Sequence, residues 1–241
     1  MEYACHALGG SVTEYAVGAG KTSALSMFSG HPVKEIAMGE GGVLTTDDES
    51  FAHRVYLPRN HGLVRDPVLF VHGEMAWDRR GEPNPWYYEL VEPGLNYRAS
   101  DIHCALGLSQ FAKLERLVVR RRELAALYDY ALAPLRPVVR PVPRVAWGKS
   151  GWHLYAVPID FGLLSLDRAG LMHRLRASGI GTQVHYMPVH RQPYYRGLNG
   201  DAELPGADAY YARCLSLPLY PAMTNDNVQT VVSTLTDVLR S

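Results

Sequence analysis

Residues 29–34 of the chain are Ser-Gly-His-Pro-Val-Lys, and residues 39–42 are Gly-Glu-Gly-Gly. A lysine that forms a Schiff base needs a rigid, partly desolvated site, because its amine must be neutral, nucleophilic and aimed at one carbon. The proline turn before Lys34 and the glycines after it supply that rigidity. A nearby hydroxyl such as Ser29 can donate a charge-assisted hydrogen bond to a phosphate, worth about 1.5–3 kcal/mol. Chemistry alone leaves two interpretations of Lys34, a Schiff-base lysine or a solvated surface lysine.

The composition predicts a globular protein with a small-molecule partner. Of the 241 residues, 47% are hydrophobic and 10% are aromatic, which is enough apolar material for a packed core. Lys plus Arg equals Asp plus Glu at 24 each, so no net charge attracts nucleic acid or a membrane surface.

The cysteines and the N-terminal residues favour a cytoplasmic setting. Cys5, Cys104 and Cys214 are far apart and odd in number, which argues against a disulfide framework and against a paired-cysteine metal site. The first ten residues contain no basic segment followed by an apolar run, and nowhere do about eighteen apolar residues stand together. The pattern therefore predicts neither a secreted protein nor a membrane span.

A change in the residue pattern predicts a domain boundary near residue 100. Residues 1–100 mix short apolar stretches with Gly and Pro, as in strands and loops, and residues 43–46 form one such strand. Ser100 and Asp101 are an N-cap signal for one long helix that ends near Pro134. The remaining pattern predicts a small α/β domain with strands at 153–159 and 182–186 and helices at 167–178 and 225–239.

A phosphate-binding P-loop is suggested by Gly20-Lys21-Thr22 but is not supported by the preceding residues. That motif needs a glycine five residues before Gly20, where the backbone must approach a phosphate. The chain has Tyr15 there. An exposed turn between strands is the better interpretation.

A metal site is suggested by His185 and His190, the two histidines with the most suggestive spacing. They are five residues apart, and no His-Glu-x-x-His pattern or cysteine accompanies them. A substrate pocket or a core hydrogen bond fits this pair better than a metal ion does.

Three ordered motifs resemble those of a known family. The Ser-x-His-Pro-x-Lys and Gly-Glu-Gly-Gly stretches resemble the cofactor-lysine signature of the DegT/DnrJ/StrS family of sugar aminotransferases. Glu2 with residues 4–9 and residues 94–98, Gly-Leu-Asn-Tyr-Arg, resemble two further segments of that family. The resemblance implies a fold-type-I α/β architecture, a pyridoxal 5′-phosphate (PLP) cofactor and a homodimer. It also implies that residues 1–100 are a remnant of the large PLP-binding domain, and that 101–241 form a long connecting helix and a small C-terminal domain.

The resemblance assigns a cofactor site. Lys34 matches the lysine that forms the Schiff base, Ser29 matches the phosphate-binding serine, and His6 belongs to the cofactor-binding segment. Asn96 matches the asparagine that reaches the cofactor phosphate of the partner subunit.

Four further residues are predicted to contact a sugar nucleotide: Tyr97, Arg98, His185 and Tyr186. Arg98 offers a planar donor to phosphate, and Tyr97 offers a stacking surface with a polar tip. An ordinary ion pair explains Arg98 equally well. Core packing is the alternative for Tyr186.

Longer phrases resemble the subgroup of this family that acts in pseudaminic acid biosynthesis. They are Arg-Asn-His-Gly at 59–62, Arg-Asp-Pro at 65–67, Pro-Trp-Tyr-Tyr-Glu at 85–89, and the stretch from Gly179 to Arg196. This resemblance implies a UDP-linked 4-keto-6-deoxy-N-acetylhexosamine as amino acceptor and glutamate as amino donor.

The sequence departs from the family at Tyr3. The family places an aspartate there, which pairs with the pyridine nitrogen of PLP. Tyrosine is uncharged at neutral pH, because its reference pKa is about 10. The aspartate segment also lies well inside a full-length family enzyme. We therefore expect a C-terminal fragment that lacks part of the parallel sheet, is inactive alone and tends to aggregate through an unpaired sheet edge.

Three alternative functions remain. The chain is either the aminotransferase described above, a different nucleotide-sugar aminotransferase of the same family, or a non-catalytic remnant that at most binds a partner chain. A PLP-dependent sugar dehydratase shares the scaffold but carries histidine in place of the lysine, so Lys34 argues against it.

Overall fold

The computed structural model describes residues 1–240, and for Asn199 it gives the backbone alone. The chain forms two compact units. The first contains Met1–Cys5 and Tyr15–Ala112, and the second contains His6–Glu14 and the chain from Lys113 onward. The two units divide after Ala112, whereas the sequence pattern placed the change at residue 100. The assignment of the first part as a remnant of a PLP-binding domain stays a prediction.

The described residues contain ten short strands and seven α-helices. The strands are β1 Glu2–Tyr3, β2 Ser11–Val12, β3 Tyr15–Ala16, β4 Ser26–Ser29, β5 Gly42–Thr45, β6 Leu63–Val64, β7 Glu89–Leu90, β8 Gly148–Lys149, β9 Tyr155–Pro158 and β10 Cys214–Leu217. The α-helices are α1 Glu49–Arg59, α2 Asp101–Phe111, α3 Leu114–Leu132, α4 Arg168–Ala177, α5 Pro193–Asn199, α6 Pro205–Arg213 and α7 Asn225–Arg240. Single 3-10 turns lie at 67–69, 73–75, 133–135, 161–163 and 189–191.

The first unit is built on a three-stranded sheet with the order β1-β4-β5. Strand β1 runs parallel to β4, and β5 runs antiparallel to it, with Phe28 opposite Val43. Ser26 and Phe28 are buried, whereas Met27 and Ser29, on the other face of β4, are half-buried. The predicted strand at 43–46 is confirmed as β5, one residue earlier than expected.

Helix α1 was not predicted, because its sequence carries no apolar stripe. None of its residues is buried, and Pro58 lies in its last turn. The helix begins at Asp48, whose carboxylate accepts hydrogen bonds from the Ser50 N–H at 2.8 Å and the Phe51 N–H at 3.3 Å. This side-chain cap satisfies donors that the first turn leaves unpaired.

The single long helix predicted from residue 100 to Pro134 is wrong, because the chain breaks it into α2 and α3 at Ala112 and Lys113. The predicted cap is present, since the Ser100 hydroxyl accepts from the His103 N–H at 3.4 Å. The break coincides with the division between the two units. No residue of α2 is buried, whereas α3 buries a full stripe. Neither Gly nor Pro marks the break, so the sequence pattern gave no signal for it.

The core of the second unit lies between α3, α4, α7 and the antiparallel pair β9-β10. Helix α7 contributes Val228, Val231, Val232 and Leu235, whose spacing places them on one face. Burying each such side chain stabilises the fold by about 1.5–3 kcal/mol. Strand β9 and helices α4 and α7 confirm the elements predicted at 153–159, 167–178 and 225–239.

The predicted strand at 182–186 is wrong. Only Gln183 pairs, in an isolated bridge with Ser216 of β10 in which the two residues exchange backbone hydrogen bonds of 2.7 and 3.2 Å. The next N–H, of Val184, donates to the side chain of Gln183 at 2.9 Å.

The Gly20-Lys21-Thr22 segment forms an exposed turn between β3 and β4, as the sequence interpretation held. In the part of the chain that the structure describes, no helix has both the length and the apolar character needed to cross a bilayer.

Candidate active site

Lys34 ends a tight turn that follows strand β4. The Lys34 N–H donates to the His31 carbonyl at 2.9 Å, which places Pro32 at the second position of the turn, where its fixed φ is favourable. The Met38 N–H donates to the Gly30 carbonyl at 2.8 Å, and the Gly30 N–H donates to the Gly41 carbonyl at 2.9 Å. These bonds close the segment on itself, and the Lys34 side chain is half-buried.

The Ser29 hydroxyl lies at the end of β4, directly before this turn. Its oxygen accepts a long hydrogen bond of 3.4 Å from the His31 N–H. Because that bond uses a lone pair, the hydroxyl proton remains available to an acceptor such as a phosphate oxygen. The serine and the lysine predicted from the sequence therefore lie on one short connection in the structure.

The glycines after Lys34 serve internal packing. Gly39 has φ +87°, and a Cβ there would lie 2.8 Å from Cδ2 of His103 on α2. Gly41 has φ +142°, and a Cβ there would lie 3.1 Å from Sδ of Met38. Side chains at these positions are therefore excluded by the conformation and by the neighbours.

The segment that carries Asn96, Tyr97 and Arg98 is tied to the C-terminal end of α1. Asn96 forms a bridge with Asn60, and Nη1 of Arg98 donates to Oδ1 of Asn60 at 2.8 Å. The Tyr97 N–H donates to the Arg59 carbonyl at 3.0 Å, while the Tyr97 ring is 74% exposed. The partner of Arg98 is thus a neutral amide and not a carboxylate.

Sequence reasoning missed the role of Asn60, although it lies in one of the phrases that resemble the subgroup. It joins Asn96 and Arg98, two residues that the sequence analysis assigned to different ligands.

The second unit brings three predicted residues together. The ring centroid of His6 lies 6.2 Å from that of Tyr186, and the rings of Tyr186 and His185 are 4.6 Å apart. Nδ1 of His185 lies 2.7 Å from Oγ of Ser216, so a hydrogen bond to β10 fixes this ring. Tyr186 is exposed, which removes core packing as the explanation for it.

His153 completes this cluster and was missed from the sequence. It is buried, and its ring centroid lies 4.3 Å from that of His6. His153 lies in the predicted strand, where a histidine is interpreted as a core residue. No motif in the sequence therefore indicated it as a site residue. His190, by contrast, has Nε2 3.2 Å from the Asp208 carboxylate, which also forms an ion pair with Arg191.

Glu2 and Tyr3 differ sharply in their surroundings on β1. The Glu2 carboxylate accepts hydrogen bonds from the Ser26 hydroxyl at 2.6 Å and from the Thr22 hydroxyl, and these bonds lower its pKa. Tyr3 points to the other side of the strand and is 76% exposed. At Tyr3, where the sequence departs from the family, the structure therefore has an accessible phenol in place of the family's carboxylate.

The eight predicted site residues are distributed over both units. The first unit carries Ser29, Lys34, Asn96, Tyr97 and Arg98, and the second carries His6, His185 and Tyr186.

Comparison with known proteins gives agreement along nearly the whole chain. Residues 1–236 match the DegT/DnrJ/EryC1/StrS aminotransferase family. The protein MJ1066 of Methanocaldococcus jannaschii is 35% identical over 242 residues, which are 99% of this chain and 59% of that protein. The spore coat polysaccharide biosynthesis protein SpsC of Bacillus subtilis is 34% identical over 244 residues, 100% of this chain and 59% of that protein. The chain thus spans about three fifths of the curated relatives it matches.

Solved structures agree with the fold. PseC of Helicobacter pylori, an aminotransferase of pseudaminic acid biosynthesis, superimposes with a TM-score of 0.85 at 27% identity over 99% of this chain and 58% of that one. The PMP-form of Spr1654, a sugar aminotransferase of Streptococcus pneumoniae, gives 0.84 at 26% identity over 99% and 58%. The predicted fold-type-I architecture is confirmed. Family motifs, fold and the match over 236 residues agree, and the chain belongs to the DegT/DnrJ/EryC1/StrS aminotransferase family.

Proposed function

We propose that this chain provides the Schiff-base lysine of a PLP-dependent nucleotide-sugar aminotransferase. The amino group would pass from glutamate to the C4 ketone of a UDP-linked 4-keto-6-deoxy-N-acetylhexosamine. One observation carries the proposal: Lys34 lies half-buried at the end of a closed proline turn, next to Ser29, in a chain of this aminotransferase family.

The residues fit PLP in part. An amine and a hydroxyl are held on one connection, and they suit the aldehyde and the phosphate of this cofactor. At the position that faces the pyridine nitrogen in relatives, the chain offers the exposed phenol of Tyr3 in place of a carboxylate. The chain therefore supplies the covalent and phosphate-binding groups, and lacks the charged partner of the ring.

When bound, PLP supplies an electron sink for the bond changes at the amino-bearing carbon. Lys34 would hold the cofactor and later move a proton at that carbon, which requires an amine that is alternately neutral and protonated. The Ser29 hydroxyl would hold the phosphate through a donated hydrogen bond. We propose Asn96 as a phosphate ligand contributed to a partner subunit and His6 as a further cofactor contact.

Substrate contacts are proposed for both units. Arg98 is already held in place by Asn60 and keeps donors for a phosphate, and the exposed ring of Tyr97 offers a stacking face. In the second unit, the hydrogen bond to Ser216 fixes the ring of His185. The ring of Tyr186 lies against it, with an angle of 81° between the two ring planes. These two side chains suit sugar hydroxyls.

The specific substrate rests on the subgroup phrases and on the similarity to PseC, an aminotransferase of pseudaminic acid biosynthesis. We propose the activity of a UDP-4-amino-4,6-dideoxy-N-acetyl-β-L-altrosamine transaminase, working as a cytoplasmic homodimer. The similarity to SpsC keeps a different nucleotide-sugar acceptor as the alternative within the family.

A non-catalytic role for this chain is the second candidate, and Tyr3 favours it. A remnant that binds a partner chain would keep the fold and tolerate a phenol in place of the aspartate.

Activity measurements separate the two candidates. The chain is extended at its N-terminus with the segment that relatives carry, and its Tyr3→Asp form is incubated with PLP, glutamate and the UDP-linked 4-keto sugar. Formation of the amino sugar, detected by mass, supports the aminotransferase. Absence of product in a folded, PLP-saturated protein supports the remnant, and a product from a different keto sugar alone supports the alternative substrate.

A further inference from the structure

A groove in the second unit lies outside all eight predicted site residues. Its volume is about 680 Å³, within the range of roughly 300–1,000 Å³ typical of small-molecule pockets. One wall comes from α3 through Arg122, Ala126 and Asp129, whose spacing places them on one helix face. The inference drawn from it does not depend on the proposed function.

The floor of the groove is the outer side of the chain that leads into β9. Trp152, Leu154 and Ala156 alternate with the buried residues His153 and Tyr155, so they share the side away from the core. The second wall is the connection formed by residues 142–150. Its end is fixed by the pairing of β8 with β2 and by Nε of Arg122, which donates to the Ser150 carbonyl at 3.0 Å.

Trp152 is held in an unusual conformation at this floor. Its φ is +57°, in the left-handed region that bulky residues avoid. The Trp152 N–H donates to the Ser150 hydroxyl at 2.9 Å, and its carbonyl accepts from Nη1 of Arg121 at 3.1 Å. The guanidinium of Arg144 lies over the indole, 3.9 Å from the ring centroid. Strained residues that their surroundings fix in this way are frequent at ligand sites.

The lining is positively charged. It contains three cations, Arg122, Arg144 and Lys149, against one carboxylate, Asp129, which leaves an excess of two positive charges. Arg144 forms an ion pair with Asp129. Arg122 donates to the neutral carbonyls of Gly9 and Ser150, which leaves its charge uncompensated by these partners.

Trp147 supplies an open aromatic surface at the same groove. Its side chain is 61% exposed, whereas Arg144 covers the Trp152 ring. An exposed indole beside uncompensated cations suits a ligand that is both planar and anionic, because stacking and charge pairing then act together.

We propose that this groove binds a small planar aromatic ring that carries a phosphate or a carboxylate. Trp147 is the stacking surface, and Arg122 and Lys149 are the cationic partners. The pair of Arg144 and Trp152 forms a rigid side of the site.

Isothermal titration of the full chain tests the proposal with four probes. Adenosine 5′-monophosphate carries a ring and a phosphate, indole-3-acetate a ring and a carboxylate, adenosine a ring alone, and inorganic phosphate an anion alone. We expect at least one of the first two to bind at least about fivefold more tightly than both of the last two. Stacking of the ring adds about a factor of five or more over the anion alone, and charge-assisted hydrogen bonds to the anion add a factor of similar size over the ring alone. Equal affinities for all four probes, or no binding, would overturn the proposal.

Matched variants locate the binding. Trp147→Ala is expected to weaken the tighter probe about fivefold or more. Lys149→Gln should weaken it at low salt and have little effect at high salt, since screening removes the contribution of an exposed charge. Trp86→Ala is the control, because Trp86 is 73% exposed and lies in the first unit. Unchanged binding in Trp147→Ala, with circular dichroism confirming the fold, or equal weakening in Trp86→Ala, contradicts this site.

Discussion

Tyr128 of α3 and Tyr155 of β9 stack with ring centroids 4.7 Å apart and an angle of 20° between their planes. Both side chains are fully buried, and each hydroxyl has a partner. The Tyr128 hydroxyl donates to the Pro218 carbonyl at 2.8 Å, and the Tyr155 hydroxyl donates to Oδ1 of Asp129 at 2.6 Å. This pair therefore joins the helix to the strand through both packing and hydrogen bonds.

Removing the Tyr155 hydroxyl should destabilise the second unit more than removing that of Tyr128. Tyr155→Phe removes a hydrogen bond donated to a carboxylate, which is worth about 1.5–3 kcal/mol. Tyr128→Phe removes a hydrogen bond donated to a neutral carbonyl, which is worth about 0.5–1.5 kcal/mol. Urea unfolding of the two variants measures the difference. Equal losses would show that the charge of Asp129 adds nothing to this bond.

The same pair predicts a loss of stability in alkali. Burial raises the pKa of both phenols above its usual value, and for Tyr155 the hydrogen bond to Asp129 raises it further. Because the unfolded phenols titrate near pH 10, the stabilisation is complete below about pH 10 and is lost progressively above it.

The free energy of unfolding should fall progressively as the pH rises above about 10. The double variant Tyr128→Phe with Tyr155→Phe is the control, and its free energy of unfolding should depend less on pH over that range. An equally steep fall in the double variant would assign the alkaline loss to other groups.

The sequence predicted those elements whose signals are local. The N-cap at Asp167, whose carboxylate accepts from the Gly170 N–H at 2.8 Å, fixed the start of α4 correctly. The apolar spacing of Val228 to Leu235 did the same for α7. Both depend on interactions within about a turn of helix, which a single sequence displays.

The failures depend on partners distant in sequence. The break at Ala112 and Lys113 coincides with the division between the two units, and no breaking residue marks it. Of the expected strand at 182–186, only Gln183 pairs, and its partner Ser216 lies 33 residues further along the chain. His153 entered the candidate site through its contact with His6, about 150 residues away, which composition and periodicity do not encode.

Purified alone, the chain is predicted to bind PLP weakly and to show no transamination. Tyr3 stands where the family resemblance implies an aspartate, and Tyr3→Asp in the same chain should not restore turnover, because the chain spans only 59% of its curated relatives. The absorption of PLP in the visible range, titrated with and without the substitution, measures this. Turnover of a UDP-linked 4-keto sugar by the unmodified chain would contradict the prediction.

In the N-terminally extended protein with Tyr3→Asp, Lys34→Ala should abolish turnover and leave the fold intact. The substitution removes one amine from a half-buried turn and no core contact, so circular dichroism should not change. Lys21→Ala is the matched control, since Lys21 is exposed in the turn between β3 and β4. Substantial activity of Lys34→Ala without an added amine would exclude it as the Schiff-base residue.

Asn96 is predicted to complete the cofactor site of a partner subunit, so that activity depends on association. It is exposed and bridged to Asn60, which positions it without burying it. In the extended protein with Tyr3→Asp, Asn96→Asp places a negative charge against the cofactor phosphate and should severely impair turnover. Mixing Asn96→Asp subunits with Lys34→Ala subunits should then restore activity, because each heterodimer contains one site with both residues intact. Subunit exchange is verified by native mass spectrometry. If exchange occurs and activity does not return, Asn96 acts within its own subunit or only supports the segment that carries Arg98.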